Sequence, residues 1–290
     1  MTKKLSITIV IPCWNSADLL KKNLKSVLKA SSAVSAKVII VDDKSSDDSV
    51  EYLRSLKGNF TLLTNSENLG FGDTVNRGVL AADTDLVVLL NTDVRPELDC
   101  FVSAMHYFED PNVFAVGFNS NEGSMRVNWE KGLFHHFRGE GSEISLWASG
   151  GQAAFDRKKY LELGGMDPMY KPFYWEDTDL GYNAWKRGWK VVWGKDCHCI
   201  HDHQSSVIKG NFTKDSIYTT AQRNQFLFIW KNISDPTLLI SHFLYLPLYL
   251  FNYPKVIFQA FLQLPKALRK RSQNKRYWKR RDQDILRLWK

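Results

Sequence analysis

The sequence predicts an α/β fold, an open doubly wound sheet, over its first 120 residues. Continuous apolar runs at 7–12, 38–43, 60–65 and 85–93 are typical of strands buried on both faces of a parallel sheet. Two stretches with helical apolar spacing separate the first three runs. The order β-α-β-α-β favours a sheet whose ligands bind at the carboxyl ends of its strands.

The first predicted helix is SADLLKKNLKSVLKAS, in which Leu20, Leu24 and Val27 recur at helical spacing behind Ser16, the predicted N-cap. The segment SDDSVEYLRSL repeats this pattern with Ser46 as its predicted cap. No G-x-G-x-x-G motif follows the first strand, so the usual dinucleotide fingerprint is absent from the sequence.

From residue 145 the chain predicts a strand with a glycine pair, a short helix, a GG turn and an acidic segment, then a helix and another strand. The helix is expected to begin with Asp177 or Thr178 as its cap and to end near Arg187, with Gly188 as its stop.

Composition indicates a globular protein. The 290 residues are 44% hydrophobic and 13% aromatic, which excludes global disorder. Four cysteines in a chain of this size do not make a disulfide framework and favour a reducing cytosol. The apolar run after the two N-terminal lysines is broken by Pro12, and we interpret it as a buried strand instead of a signal peptide.

The net charge of +8 is concentrated at the C-terminus. Residues 266–290 contain 11 Lys and Arg against 2 Asp, so the rest of the chain is nearly neutral. We therefore divide the chain into a globular domain at 1–235, which contains all the motifs considered below, and a helical amphipathic, polybasic region at 236–290.

Residues 236–254 carry no charged side chain, but Pro247 and several polar residues interrupt them. A single span would also export the basic tail against the positive-inside rule. We expect a segment lying in the plane of an anionic membrane surface. The alternatives are helices that pack on the domain or on a partner in an oligomer; nucleic-acid binding is not expected.

Polar residues mark the ends of three predicted strands. Pro12 and Asn15 follow the first, Asp42 and Asp43 the second, and Asn91-Thr92-Asp93 the fourth. Each alone is explained by a helix cap or a turn. Together, at successive strand ends, they predict a nucleotide site, with an acid for a base or ribose and an acid for a hard cation.

The acidic segment FYWEDTDLGYNAWKRGW places three carboxylates among six large rings. Helix capping explains one or two of these acids but does not explain the rings. Rings that exclude water would raise the pKa of a carboxylate among them.

These motifs resemble those of family 2 glycosyltransferases, which have the GT-A fold, and most of all the bacterial rhamnosyltransferase-type members. The matching pieces, in the family's order, are IVIPCWNS, VIIVDDKSSDDS, NSENLGFGDTVNRGV, VVLLNTDV, SGGQAAF, LGGMDP, WEDTDLGYNAWKRGW and IHDHQSS. The resemblance implies a Rossmann-like open mixed sheet with helices on both faces. GFGDTVNRG departs from the family pattern, which puts Asp73 and Thr74 in question as donor contacts.

The resemblance also implies roles for individual residues. Asp177 is the catalytic base, with Asp179 as its rival, and Trp175 and Glu176 contact the acceptor. Asp93 and His201 hold Mn²⁺ or Mg²⁺. The residues implied in donor binding are Pro12, Asn15, Asp42, Asn68, Gly70, Asn76, Asn91, Thr92 and Asp93.

Two other interpretations of the CHCIHDH segment remain open. In the first, His201 is an ordinary surface histidine. In the second, zinc is bound by four side chains of the segment: Cys197, Cys199, His201 and His203. Four alternate residues of one strand span about 20 Å, which is too far for one tetrahedral ion.

The expected function is that of an inverting, metal-dependent glycosyltransferase of the hexosyltransferase type. Its donor would be a nucleoside diphosphate sugar, such as dTDP-rhamnose or a UDP-sugar. Its acceptor would be a lipid-linked saccharide in the synthesis of a bacterial surface polysaccharide. The expected location is the cytoplasm, peripheral on the inner face of the plasma membrane. The alternatives are a nucleotidyltransferase on a similar sheet and a catalytically silent membrane-bound scaffold.

Overall fold

The computed structural model describes residues 5–139, 142–202 and 210–289. In these ranges the strands, in chain order, are β1 (Ile7–Cys13), β2 (Lys37–Asp42), β3 (Thr61–Thr64), β4 (Leu86–Leu90), β5 (Val94–Pro96), β6 (Val113–Asn119), β7 (Ser124–Glu130), β8 (Leu133–Gly139), β9 (Gln152–Asp156) and β10 (Lys190–His201). Eight of them form one sheet in the order β3-β2-β1-β4-β9-β6-β10-β5, and β7 and β8 form a separate hairpin.

The sheet is mixed. Strands β1 to β4 pair in parallel. Strand β9 is antiparallel to its neighbours β4 and β6, and β5 is antiparallel to β10. The predicted open mixed sheet is therefore confirmed, and each of the four predicted strand runs contains a strand.

The helices lie on both sides of this sheet. They are α1 (Ala17–Ala33), α2 (Ser49–Ser55), α3 (Phe71–Ala81), α4 (Cys100–Tyr107), α5 (Arg157–Leu163), α6 (Glu176–Lys186), α7 (Lys214–Asn232), α8 (Pro236–Asn252), α9 (Pro254–Phe261), α10 (Leu264–Lys275) and α11 (Asp282–Leu286). Alternate residues of β1 enter different cores: Ile9 packs with Leu20 of α1, and Val10 packs in the cluster that contains Val75 of α3. One apolar cluster therefore lies on each face of the sheet.

Two of the predicted helix caps are wrong, and a third is right in position only. Ser16 occupies the N-cap position of α1 as predicted, but its hydroxyl donates to the carbonyl of Trp14 at 2.9 Å and does not cap the helix. Helix α2 begins at Ser49, and Ser46 instead donates its backbone N–H to the Asn15 side chain. Ser46 and Asn15 lie in the neighbouring loops that follow β2 and β1, so a bond between these two loops replaces the predicted cap of α2.

The second wrong cap concerns α6. This helix begins at Glu176, so Asp177 and Thr178 lie inside its first turn. The N-cap position belongs to Trp175, whose left-handed φ of 80° turns the chain into the helix. The predicted end of the helix is confirmed, because Arg187 is its C-cap and Gly188 follows with φ 89°.

The C-terminal helices pack on the rest of the protein. Apolar residues of α8 to α11, among them Ile257 and Ile285, belong to the same buried cluster as residues of α6 and α7. Asp282 is fully buried, and its carboxylate accepts hydrogen bonds from the backbone of Ser234 and Asp235 at 2.7 Å and pairs with Lys186. Within the described ranges, no helix has the length and apolar character needed to cross a membrane.

Candidate active site

A cavity of about 450 Å³ opens where β1, β2 and β4 end. Its position follows from the parallel register, which brings the carboxyl ends of these strands to one edge of the sheet. Of the residues predicted to bind a donor, six line this cavity: Pro12, Asn68, Gly70, Asn91, Thr92 and Asp93. It is also lined by residues without a predicted contact, including Trp14, Asp43, Phe71, Phe173 and Phe212.

The acid that reaches the cavity from β2 is Asp43, not the predicted Asp42. The Asp43 carboxylate accepts backbone hydrogen bonds from Leu69 at 2.8 Å and Gly70 at 2.9 Å, and so fixes the loop that precedes α3. Asp42 is buried as the last residue of the strand and is absent from the cavity lining. Adjacent residues of a strand point to opposite sides, and the sequence alone does not say which acid of the pair faces the ligand side.

Asn15 and Asn76 do not reach the cavity lining either. The Asn15 side chain accepts from the backbone of Ser46 at 2.7 Å. The Asn76 side chain accepts from Tyr160 and Met166 and donates back to the Met166 carbonyl at 2.8 Å. Both asparagines therefore hold loops around the cavity in place, a role that the sequence motifs do not separate from ligand binding.

Asp93 and His201 are brought together by the pairing of β5 with β10. His201 Nε2 lies 3.5 Å from Asp93 Oδ2. The other oxygen, Asp93 Oδ1, is buried without a hydrogen-bond partner in the described ranges. A buried acidic oxygen beside an imidazole nitrogen fits a divalent cation such as Mn²⁺ or Mg²⁺.

The structure does not gather the zinc set considered above. In the described ranges no group of three or more His, Cys, Asp and Glu side chains is placed to hold an ion. Cys197 and Cys199 are free thiols packed in the apolar cluster of one sheet face. His203 lies outside the described residues.

The segment before α6 is a tight turn. Tyr174 and Trp175 both have left-handed backbones, with φ of 70° and 80°. Such φ values are unfavourable for residues with large side chains and persist where surrounding contacts hold them. The contact here is Asn224 of α7, whose buried Nδ2 lies 2.7 to 3.0 Å from the carbonyls of Tyr170, Phe173 and Tyr174.

A second cavity, of about 460 Å³, opens on the other side of this turn. Its lining includes Trp175 and Asp177. The other lining residues come from β8, the loop before β9, the turn and first residues of α6, and α7: Phe134, His135, His136, Trp147, Tyr174, Thr178, Ala221, Gln222 and Gln225. The His136 ring stacks on Trp175 at 5.5 Å, with planes 11° apart, and lies 5.0 Å from Trp147. Contact with the two rings desolvates the His136 imidazole and lowers its pKa, although the residue as a whole remains exposed. Stacked rings of this kind suit the apolar face of a sugar.

The three acids of α6 have different partners. Asp179 is held by Lys231 Nζ at 2.6 Å, Tyr170 Oη at 2.9 Å and Asn232 Nδ2 at 2.7 Å. Its carboxylate is therefore occupied in a buried network, away from both cavities. Asp177 reaches the second cavity instead, and burial raises the pKa of its carboxyl group.

Glu176 is buried and does not line either cavity. Burial, and after it the charge of Asp177, raises the pKa of Glu176 to about 8. Its Oε2 atom has no hydrogen-bond partner in the described part of the chain. Of the two residues predicted to contact the acceptor, Trp175 therefore lines the second cavity, and Glu176 is buried outside its lining.

The glycine pair of the SGGQ motif connects the two cavities. The Gly150 N–H donates to Asp177 Oδ2 at 3.4 Å. The Gly151 carbonyl accepts from the Asn91 backbone at 2.8 Å, and a Cβ on Gly151 would lie 2.2 Å from Asn91 Nδ2. Asp177 at the second cavity and the loop that follows β4 at the first cavity are therefore connected through Gly150 and Gly151, which have no side chains.

His136 and Trp147 were not singled out by sequence reasoning. They come from a hairpin and a loop about 30 to 40 residues before the acidic segment. The two histidines of FHHF have no spacing that marks them as part of a site. Only the folded hairpin brings His136 onto Trp175.

Comparison with known proteins gives a family and a fold. The model of the family described as Glycosyl transferase family 2 matches residues 8–173, more than half of the chain. The chain is similar to a poly-beta-1,6-N-acetyl-D-glucosamine synthase of Staphylococcus aureus (strain MSSA476), with 30% identity over 113 residues. It is also similar to the O-antigen chain rhamnosyltransferase RfbN of Salmonella typhimurium, with 28% identity over 114 residues.

These matches cover 38% and 39% of the chain and only 27% and 36% of the two relatives. Among solved structures, GalNAc-T7 with UDP, GalNAc and Mn²⁺ superposes with a TM-score of 0.64 at 16% identity, over 80% of this chain and 48% of that one. The mannosyltransferase PcManGT from Pyrobaculum calidifontis, in complex with GDP-Man and Mn²⁺, gives 0.56 at 18% identity, over 94% and 74%. Likeness at this identity establishes the fold, and the predicted GT-A fold is confirmed.

Proposed function

The chain belongs to glycosyl transferase family 2, and from this membership we propose that it transfers a sugar from a nucleoside diphosphate sugar to a saccharide acceptor. The observation that carries the proposal is the position of Asp177, on the wall of the second cavity and hydrogen-bonded through Gly150 to the loop that reaches the first. A donor in the first cavity and an acceptor in the second would meet at this acid.

The first cavity suits the donor. Asn91, Thr92 and Asp93 line it, and the aromatic rings of Trp14 and Phe173 in the same lining offer stacking surfaces for a nucleoside. Asp93 and His201 would hold the Mn²⁺ or Mg²⁺ ion. When bound, the ion supplies positive charge that neutralises the diphosphate as it leaves.

The proposed base is Asp177. The acceptor hydroxyl oxygen forms a bond to the anomeric carbon as the bond from that carbon to the diphosphate oxygen breaks, and the hydroxyl proton passes to the Asp177 carboxylate. One displacement inverts the anomeric configuration. The raised pKa of Asp177 makes it a better proton acceptor than an exposed carboxylate, and Asp179 has no equivalent access.

The finer parts of the proposal concern the substrates. The two relatives named above use different sugars according to their names, a rhamnosyl and an N-acetylglucosaminyl donor, so we propose dTDP-rhamnose or a UDP-sugar. The proposed acceptor is a lipid-linked saccharide of a bacterial surface polysaccharide, used at the inner face of the plasma membrane by a peripheral enzyme. The apolar helical face described below supports this location.

Calorimetric titration with dTDP-rhamnose, UDP-N-acetylglucosamine and GDP-mannose, with and without Mn²⁺, tests the proposal. We expect one of them to bind, with binding strengthened by Mn²⁺. Asp93→Ala should lose that strengthening and His201→Ala should lose less of it, because the carboxylate supplies the charge. Asp18→Ala, whose side chain is fully exposed on α1, is the matched control.

Two outcomes would contradict the proposal in different ways. Unchanged Mn²⁺ stimulation in Asp93→Ala would remove the metal assignment. If no nucleotide sugar binds, and a nucleoside triphosphate is instead cleaved with release of pyrophosphate, the protein is a nucleotidyltransferase.

A further inference from the structure

Helices α8 and α9 expose a large apolar face. On α8 the side chains of Ile240, Leu244, Leu248 and Phe251 are 60%, 75%, 53% and 85% exposed and recur at helical spacing along one stripe. The face widens over further exposed side chains of the two helices: Phe243, Leu250, Phe258 and Leu262. Soluble monomers rarely expose contiguous apolar surface of this extent without a partner.

The chain segment that carries this face has charged side chains of one sign. No Asp or Glu occurs between Asp235 and Asp282, a stretch that contains ten Lys and Arg residues. α8 itself carries no charged side chain, and the basic residues follow it. Exposed examples are Lys255, Lys266, Arg269 and Lys275. An uncharged apolar stripe, followed along the chain by exposed cations, matches an anionic lipid bilayer, which offers an apolar interior beneath negative headgroups.

The same helix is attached to the second cavity. His242 Nδ1 lies 2.7 Å from the Gly132 carbonyl, and the Tyr249 hydroxyl donates to the Lys131 carbonyl at 2.8 Å. Both contacts fix the turn between β7 and β8. Strand β8 then carries Phe134 and His136 into the cavity wall.

We propose that the exposed face of α8 and α9 docks on an anionic lipid bilayer and thereby holds the second cavity next to lipid-linked acceptors. The acceptor part of this inference rests on the proposed function, whereas the docking part does not. The apolar stripe enters the headgroup region and the basic residues bind the phosphate groups. The hairpin attached to α8 keeps the cavity wall at a fixed position relative to the docked helix.

Co-sedimentation of the full chain with vesicles of phosphatidylcholine alone, or mixed with phosphatidylglycerol, measures docking without any substrate. We expect binding to the mixed vesicles, partly reversed by high salt because screening acts on the charges and not on the apolar stripe. Leu244→Glu and Phe251→Glu should each lower the partition coefficient about tenfold or more, since a carboxylate resists both burial and the negative surface.

Leu80→Glu is the matched control, because Leu80 is 66% exposed on α3 and lies outside this face. It should bind vesicles as the unchanged protein does. All variants should keep the same melting temperature, since each altered side chain is exposed. Docking is overturned if the unchanged protein ignores anionic vesicles, or if the α8 variants bind them normally. It is also overturned if the protein is a dimer that Phe251→Glu converts to a monomer, because the face is then an interface between copies.

Transfer to a short water-soluble acceptor separates this inference from the proposed function. The α8 variants should keep that activity while losing transfer to an acceptor embedded in vesicles. If vesicle binding is intact but the unchanged protein transfers no sugar to any acceptor, the docking surface stands and the proposed function fails. If soluble and embedded acceptors are affected equally by Phe251→Glu, the docked face has no role in acceptor presentation.

Discussion

At the residue scale, the acids in the first turn of α6 have different surroundings. Asp177 borders the second cavity, whereas Asp179 binds Lys231 in the interior. Asp177→Asn keeps the shape of the side chain but removes its ability to take a proton. We expect turnover to fall by about 10²–10⁴ with donor affinity preserved, as measured by product formation and calorimetry.

Asp179→Asn provides the contrast. It leaves the buried Lys231 with less compensating charge, so the free energy of unfolding should fall, by about 3–5 kcal/mol if the pair is fully broken. Near-normal turnover in Asp177→Asn, together with a folded but inactive Asp179→Asn, would transfer the role of base to Asp179.

Glu176 gives a prediction about pH. Its pKa rises from the usual 4.5 to about 8, because burial and the charge of Asp177 disfavour the ionised form. Between these two values the folded chain keeps a proton that the unfolded chain releases, so stability should fall as the pH rises through this window. Urea unfolding at several pH values should show a smaller fall in Glu176→Gln than in the unchanged protein. The exposed Glu67→Gln should show the same fall as the unchanged protein; equal slopes in all three would contradict the assignment.

The strand-end motifs predicted where a cavity forms, and six of the nine proposed donor residues line it. They did not predict which member of a pair faces that cavity. Asp42 and Asp43 are equivalent in a sequence motif, and the register and twist at the end of β2 decide between them. Asn76 shows a second limit, since its amide is used in bonds to Tyr160 and Met166 that come from distant parts of the chain.

At the element scale, α7 holds the turn that carries the acidic segment. Asn224→Ala removes the hydrogen bonds to three carbonyls of residues 170–174, so the left-handed backbone at Tyr174 and Trp175 loses its support. We expect the free energy of unfolding to fall by about 1–3 kcal/mol. We also expect kcat to fall more than the affinity for the donor, because Asp177 follows the turn directly.

Asp215→Ala, in the exposed first turn of α7, is the control and should change neither quantity. A purely structural role for Asn224 would lower stability and leave kcat unchanged at temperatures where the variant is folded. Helical spacing predicted α1 and α2, and the glycine stop predicted the end of α6. No sequence pattern indicated the β7–β8 hairpin, because its strands mix exposed and buried residues without strict alternation.

At the scale of the whole molecule, the C-terminal helices complete the core. Asp282 of α11 neutralises Lys186, which is fully buried, and binds the chain at Ser234 and Asp235. Ending the chain at Ser234 would leave that lysine uncompensated and would expose apolar surface on α7. We expect the shortened protein to be insoluble or unfolded by circular dichroism.

Asp282→Asn tests the same contact in the full chain and should lower the free energy of unfolding by about 3–5 kcal/mol in urea titration. Asp284→Asn, exposed on the same short helix, should have little effect. A soluble shortened chain with a normal melting transition would show that 1–234 folds alone. The division of the chain at residue 235 implied such independence, but the distribution of charge along the sequence carries no information about which apolar faces need cover.

The two cavities are built from different stretches of the gene. The first takes its lining from loops between residues 12 and 93, with a few residues near 172 and 212, whereas the second uses 134–136, 147, 174–178 and 221–225. Mutations that accumulate in one set leave the other set's side chains unchanged. If the proposed function is correct, the acceptor specificity of related proteins can change during evolution while their donor specificity stays the same. The glycine pair at 150–151 contacts both cavities and is therefore expected to stay unchanged in either case.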